Sequence, residues 1–363
     1  MHTRLVSTLV VVVLALAATA VAAARAEAAT ITQIAGGLDN PRGLAFGPNG
    51  ALYVAEAGEG GTDFCFDHAG FGHACAGMSG AVTRLWNGKQ ERILRLPSLA
   101  DEFGEALGPN DVSPLGNGNL YVAIGLGDNP ALRDTFPASA GPYGWLVKGN
   151  TSGTWKPVAD ISAFEATHDP DAGQPGTTVD SNPYAVAATP DGEAVVDAGG
   201  NDLLWVDGSG NTSLLAVLPL RLVPFGGDTI PMQSVPTSVA VGPDGAFYVG
   251  ELTGFPFPAG GANVYRIVPG QKPTLYATGF TNIIDLAFGR DGSLYVAEIS
   301  HFGFLSGDPA GGIWRVPPGG GTPQLLTTSV NSPGGIAAAW DGSLYVTTCS
   351  SCANDGEVVR IVP

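Results

Sequence analysis

Charge is scarce in this 363-residue sequence, and positive charge scarcer still: Asp, Glu, Lys and Arg together make up 13 %, with 16 Lys and Arg against 33 Asp and Glu. Nucleic acids and anionic lipid surfaces are held by clusters of Lys and Arg, so neither is an expected partner. Also missing are a Gly-x-Ser-x-Gly elbow, a His-Glu-x-x-His pair, a phosphate loop and a dinucleotide fingerprint, which removes the common hydrolase and metalloprotease templates and any nucleotide cofactor. Beyond residue 24 no apolar run is long enough to cross a bilayer. What the chain has instead is glycine (53) and proline (28) without a triplet period, together with 44 % hydrophobic residues. That combination excludes collagen and disorder. It predicts an all-β fold of short strands joined by many tight turns.

Arg4, the apolar run from Leu5 to Ala24 and the small-residue steps Ala24-Arg25-Ala26 and Ala26-Glu27-Ala28 predict a secretory signal peptide over residues 1–28. Residues 29–363 then form a single domain, secreted, periplasmic or at the cell surface. Cleavage removes Arg4, Arg25 and Glu27 and leaves 14 basic against 32 acidic residues. The four cysteines of an exported chain are expected to form two disulfides, and three connectivities exist. Local pairing, Cys65 with Cys75 and Cys349 with Cys352, is the simplest. A metal reading of Cys65, His68, His73 and Cys75 has suitable ligand types but conflicts with an oxidising compartment.

Internal repetition is the strongest signal. The segment Pro41–Val54 aligns without gaps to five others, ending at Val122, Val196, Val249, Val296 and Val346. Each carries Asn-Gly or Asp-Gly between two apolar runs, the signature of a tight hairpin. A third apolar run follows each, among them Ala81–Leu85, Trp145–Val147, Leu203–Val206 and Val358–Ile361. Spacings of about 50 to 70 residues leave room for a four-stranded sheet plus loops, the blade of a β-propeller. Six blades are predicted. The last is one strand short at the C-terminus, and residues 31–37 match a fourth strand, so the N-terminal strand is expected to complete it and close the ring.

The connections between second and third strands, and between fourth strands and the next blade, are long, whereas the opposite turns are short. Long loops on one rim mark the face expected to bind, and His301 lies there. Two aligned columns should open at that face: Gly43, Asp111, Ala185, Ser238, Asp285 and Gly335, preceded by Arg42 and Asn110; and Glu56, Ile124, Ala198, Glu251, Glu298 and Thr348. Five carboxylates would then surround one funnel, either holding Ca2+ or another divalent cation through Glu56, Asp111 and Asp285, or shifting one another's pKa for acid/base work.

The phrase from Gly37 to Gly58, GLDNPRGLAFGPNGALYVAEAG, followed by the Cys65 to Cys75 insertion and Gly80–Arg84, resembles the ScyD/ScyE family across the whole mature chain. The resemblance implies an exported six-bladed, NHL-like propeller and carries over no catalytic motif. More distantly, the chain resembles regucalcin and gluconolactonase-type propellers, which implies a divalent cation in the funnel, with Glu56, Asn110, Asp111 and Asp285 as its holders. A quinoprotein sugar dehydrogenase is disfavoured, since the tricarboxylate PQQ needs several cations and this face offers Arg42, Arg133 and Arg221 among acids. The expectation is therefore a monomeric propeller binding a small molecule or protein partner at the loop-rich face through Arg42, Glu56, Asn110, Asp111, Glu251, Asp285, Glu298 and His301. The alternative is a metal-dependent hydrolase or lyase using the same acids.

Overall fold

Six antiparallel sheets form the blades of the computed structural model, which describes residues 29–68 and 72–363; five have four strands, and the first is extended to six by Phe64–His68 and Ala106–Leu107. The expected signal peptide lies outside the described residues. In the first five blades the strands run in chain order from the axis outward, as in Pro183–Thr189, Gly192–Asp197, Asp202–Asp207 and Thr212–Val217. In the sixth, Gly335–Ala338, Leu344–Thr348 and Gly356–Val362 are followed on the outside by Thr30–Leu38, with Thr30 opposite Val362 and Ile31 opposite Ile361. The innermost strands touch one another around a ring, the first against the second and also against the sixth.

The sequence explains why these sheets stack side by side. Second strands such as Leu52-Tyr53-Val54-Ala55 are apolar at successive positions and buried throughout. Both faces of each sheet therefore meet a neighbour. One buried cluster joins Tyr295, Ala297 and Ile313 of the fifth blade to Ile336, Val346 and Val359 of the sixth; another joins Val82 and Leu94 of the first to Val122 and Val147 of the second.

The short turns opposite the loops follow local chemistry. Asn87 and Gly88 both have positive φ between paired Trp86 and Lys89, which matches the right-handed twist of the flanking strands. Asp244, Asp291 and Asp341 in the Asp-Gly turns each accept a backbone N–H two residues on, and each is also paired with a third-strand arginine, Arg266, Arg315 and Arg360. The third blade departs from this pattern. Its first and second strands pair from Thr189 to Gly192, leaving only Pro190 and Asp191 in the turn, so its second strand starts one residue earlier than the gap-free alignment implies.

The loop face is built up by insertions. Phe64–His68 pairs with Gly72–Trp86, and Cys65 and Cys75 are directly opposite and joined by a disulfide; Cys349 and Cys352 form the second. Local pairing is thus what the structure contains. Phe64 and Phe66 of the first hairpin both pack on Phe136, which contacts Tyr143. A second hairpin, Arg221–Phe225 with Asp228–Met232, rises between the third and fourth blades.

At the axis the first and sixth blades meet backbone to backbone. A Cβ on Gly335 would sit 2.7 Å from Gly43 Cα and 2.8 Å from Arg42 O, both backbone atoms that cannot rotate away. Gly335→Ala should therefore destabilise the protein by about 1–3 kcal/mol. Gly208→Ala, where a Cβ meets nothing within 4 Å, should stay within about 0.5 kcal/mol. Urea unfolding midpoints of the two variants check this, and equal midpoints would contradict the crowding argument.

Candidate functional site

Second strands end at the loop face, and their last side chains fold back onto the segment that enters the same blade. Glu56 accepts the N–H of Asp39 at 2.8 Å, Glu298 that of Thr281 at 2.7 Å, and Asp197 that of Asn182 at 2.5 Å, while Glu251 accepts the hydroxyl of Ser234 at 2.8 Å. All four carboxylates are buried. Each is a clasp that fixes the chain as it turns into the innermost strand. Their remaining oxygens are also engaged: that of Glu56 by Arg92 Nε at 3.2 Å and by the Thr83 hydroxyl, that of Asp197 by the Ser181 hydroxyl at 2.6 Å, that of Glu251 by Arg221 and by Asn263 at 2.8 Å, and that of Glu298 by Nδ1 of His301 at 2.5 Å.

Ala198 does not occupy this position in the third blade; Asp197 does. Ala198 N donates to Asn182 O just as Ala57 N donates to Asn40 O and Ile299 N to Asn282 O, so Ala198 corresponds to Ala57. The two-residue turn at Pro190-Asp191 shifted the register by one, and Asp197 was missed for that reason.

Asp111 and Asp285 occupy a different place, on innermost strands. Asp111 accepts its own neighbour Val112 N at 2.7 Å and, across the blade gap, Val186 N at 2.9 Å. Asp285 repeats this with Leu286 N and with Ile336 N of the next blade, both at 2.7 Å. Burial pushes Asp111 up to about 6, opposed by its two backbone donors. Burial also holds Asp285 well above the usual carboxylate range, and the charge of Asp111 adds to that.

Above them opens a cavity of about 360 Å³ on the axis. Of the eight residues expected to bind there, Arg42 and Asn110 line it; Glu56, Asp111, Glu251, Asp285, Glu298 and His301 do not. The other polar groups on its wall are Tyr184, Asn182, Gln233, Thr237, Glu105 and Asp180, and the rest is largely apolar, including Leu107, Val235, Leu252, Ile284, Ile299 and Phe304. Arg42 is 7 % exposed; its Nη2 donates to Ala106 O at 3.1 Å and its Nε has no partner. Asn110 is held by Pro183 O at 3.0 Å. From the rim, phenyl rings run in edge-on contact from Phe225 through Phe255 and Phe257 to Phe304 on the cavity wall.

The expected cation set does not converge. Glu56 is committed to Asp39, Thr83 and Arg92, remote in role from Asp111 and Asp285, each of which spends its oxygens on backbone amides. Among the described residues, ligand atoms close enough to share an ion occur in two groups, Cys65 with His73 and Cys75, and Glu165 with Asp169 and Asp171. In the first the sulfurs are joined in a disulfide and are not thiolates. The second consists of acidic groups that could hold a metal ion.

No known family profile matches the sequence, and comparison with curated proteins finds no match. Solved structures do match. A candidate oxidoreductase (glucose dehydrogenase) of Thermus thermophilus aligns with a TM-score of 0.55 at 19 % identity, over 92 % of this chain and 100 % of that one. The PQQ-bound aldose sugar dehydrogenase of Streptomyces coelicolor aligns at 0.54 and 14 %, over 92 % and 98 %. A candidate gluconolactonase aligns at 0.51 and 13 %, over 92 % and 91 %. At these identities the likeness establishes the six-bladed propeller fold.

Two outcomes follow from the clasps and the axial acids. Removing Arg221 leaves Glu251 buried without its cation, so Arg221→Met should cost about 3–5 kcal/mol, whereas breaking the exposed pair Arg84–Glu91 with Arg84→Met should cost under about 1 kcal/mol. Comparable losses in urea unfolding would refute the distinction. Folding raises Asp111 from 3.8 to about 6, so the folded protein holds the proton more tightly. That contribution is fully present below the ordinary aspartate pKa and is lost as pH rises through about 6; Asp285 acts in the same direction. The unfolding free energy should fall between about pH 4 and pH 7, and fall less in Asp285→Asn. An identical pH profile for the variant would show that the axial pair is not responsible.

Proposed function

We propose that this protein is an exported, monomeric binding propeller that captures a small, largely apolar molecule end-on in the axial cavity, with Arg42 receiving a carboxylate or carbonyl oxygen. The resemblance of residues 37–58 to the ScyD/ScyE family and the two disulfides support export and this architecture. The observation that carries the ligand class is Arg42. A buried guanidinium normally spends all its donors on protein acceptors, because an unmet buried donor is costly. Here Nε is buried without a partner, and Arg42 lines a cavity of a size suited to a small ligand whose wall is largely aliphatic and aromatic. Tyr184, on which the Arg42 charge acts, stands beside it as a second donor. The exposed phenyl path from Phe225 to Phe304 gives an apolar ligand a hydrophobic surface leading to the cavity.

This reading is preferred to a metal-dependent hydrolase or lyase of the gluconolactonase type, because that chemistry draws on funnel acids which serve here as loop clasps and strand bridges. PQQ also fits the wall poorly. Its three carboxylates would meet one cation, Arg42, with Glu105 and Asp180 as the other charges. Arg133 and Arg221 are spent on Asp160 and Glu251.

A thermal-shift panel of aryl and alkyl monocarboxylates beside their methyl esters tests the proposal. Members of the panel should raise the melting temperature of the wild type, acids more than esters, and Arg42→Met should weaken the best binder at least about tenfold in calorimetry, the loss of one charge-assisted contact. Equal binding by Arg42→Met, or binding abolished by Glu298→Gln instead, would sink it.

A further inference from the structure

The geometry points to a calcium site inside the loop face of the third blade, formed by Glu165, Asp169 and Asp171 and supported by Asp202. Glu165 lies on the short helix Ile161–His168, Asp169 caps that helix in the left-handed conformation, and Asp171 follows two residues later. One carboxylate oxygen from each lies within 4.8 Å of those of the other two. Asp202 begins the third strand beneath them, and its charge acts together with those of Glu165 and Asp171.

The carboxylates alone would not identify a site; their unmet oxygens do. Glu165 is 1 % exposed, Asp171 1 % and Asp202 0 %. Both oxygens of Glu165, both of Asp202 and Oδ1 of Asp171 have no hydrogen-bond partner. The charges acting on Glu165 are all carboxylates, namely Asp197, Asp171, Asp169 and Asp180. Among the described residues none of the three is in an ion pair, in contrast to Glu56 and Glu251 on neighbouring blades. Protonation is an incomplete remedy, because one proton shared between two neighbouring carboxylates leaves the other buried oxygens of the cluster unmet. A cation would meet the clustered oxygens of Glu165, Asp169 and Asp171 together and offset the charge of Asp202 beside them. An all-oxygen donor set without His or Cys selects a hard ion, and ligands drawn from a helix, its cap and an irregular loop suit the adaptable coordination of Ca2+ better than the strict octahedron of Mg2+.

The surroundings are shaped for close approach. A Cβ on Gly200 would stand 2.8 Å from Glu165 Oε2, so the glycine leaves the carboxylate the space it occupies. Asn201 donates to the other oxygen of Asp171 at 2.8 Å and accepts Val235 N at 2.9 Å, connecting the cluster to the entry of the fourth blade. The same loop continues to Asp180 and Asn182 on the cavity wall. An ion held here would tie that wall to the third blade.

Calorimetry and thermal unfolding of the EGTA-treated full chain with CaCl2 or MgCl2 provide the test. One Ca2+ should bind per chain, tighter than Mg2+, with a melting rise on the order of 5 °C at a hundredfold excess over its dissociation constant. Glu165→Gln should weaken Ca2+ binding at least tenfold. In EGTA it should melt at or above the wild type, because it removes one of several mutually repelling buried charges, which a merely structural carboxylate would not do. Asp171→Asn provides the second variant, and Asp291→Asn, in an exposed turn of the fifth blade, should leave Ca2+ binding unchanged. Absence of Ca2+ uptake by the wild type, unchanged Ca2+ affinity in both Glu165→Gln and Asp171→Asn, or Mg2+ binding as tight as Ca2+ would overturn the assignment.

Discussion

A buried carboxylate that accepts the backbone of the incoming chain sets the geometry of the loop face. Glu56, Asp197, Glu251 and Glu298 each end a second strand and hold the segment that turns into the first strand of the same sheet. The turn is sharp. Asn40, Val235 and Asn282, each immediately before an innermost strand, have positive φ, a conformation unfavourable for a β-branched residue such as Val235. Its persistence at Val235 requires surrounding contacts that over-determine it, which the Asn201 side chain supplies by accepting Val235 N at 2.9 Å, with the Ser234–Glu251 clasp at the next residue. Because the innermost strand of the first blade starts from such a turn, the position of Arg42 on the cavity wall follows from where the Glu56 clasp sits.

Most of this architecture was legible from local signals. A hairpin turn is encoded by two residues, so six Asn-Gly or Asp-Gly steps in fixed register to apolar runs were enough to count the blades. Third strands such as Trp145–Asn150 and Gly356–Val362 fell where apolar runs placed them. Local disulfides were readable because each cysteine pair shares one insertion. What the sequence could not convey was side-chain direction at the ends of strands. Glu56 and Asp111 both stand at aligned acidic positions near one face, yet one folds back onto a loop and the other reaches sideways to Val186 in the next blade. Asp197 escaped notice because a turn shortened by one residue displaced its column. Glu165 and Asp171 lie outside the repeat altogether, and nothing in their spacing shows that both are buried.

An acidic chain must find a place for each carboxylate, and three solutions appear. Some are neutralised by a neighbouring guanidinium, as Glu56 is by Arg92 and Glu251 by Arg221. Others, Asp111 and Asp285, are buried against backbone amides and join adjacent blades at the axis, where no side chain from the crowded Gly43 and Gly335 positions intrudes. A third set, around Glu165, has neither guanidinium nor sufficient amides. The contrast within one molecule is more informative than acidity in general, since it shows that the fold supplies partners where it needs them and leaves a concentrated deficit in one place.

That deficit and the unpartnered Nε of Arg42 are of opposite sign and lie on the same face, separated by the wall that Asp180, Asn182 and Gly199 share with the cavity. Uncompensated, the acids would draw any free cationic group toward them and weaken the attraction of Arg42 for an anion, since interactions in a poorly hydrated interior decay slowly with distance. A divalent ion among the acids removes most of that competing field. The cavity would then be left with its own charges, Arg42 beside Glu105 and Asp180, and an acceptor group entering along the phenyl rings would meet the guanidinium with less opposition from the acids behind the wall. The two features therefore make physical sense together, the ion weakening the negative field against which the ligand is read.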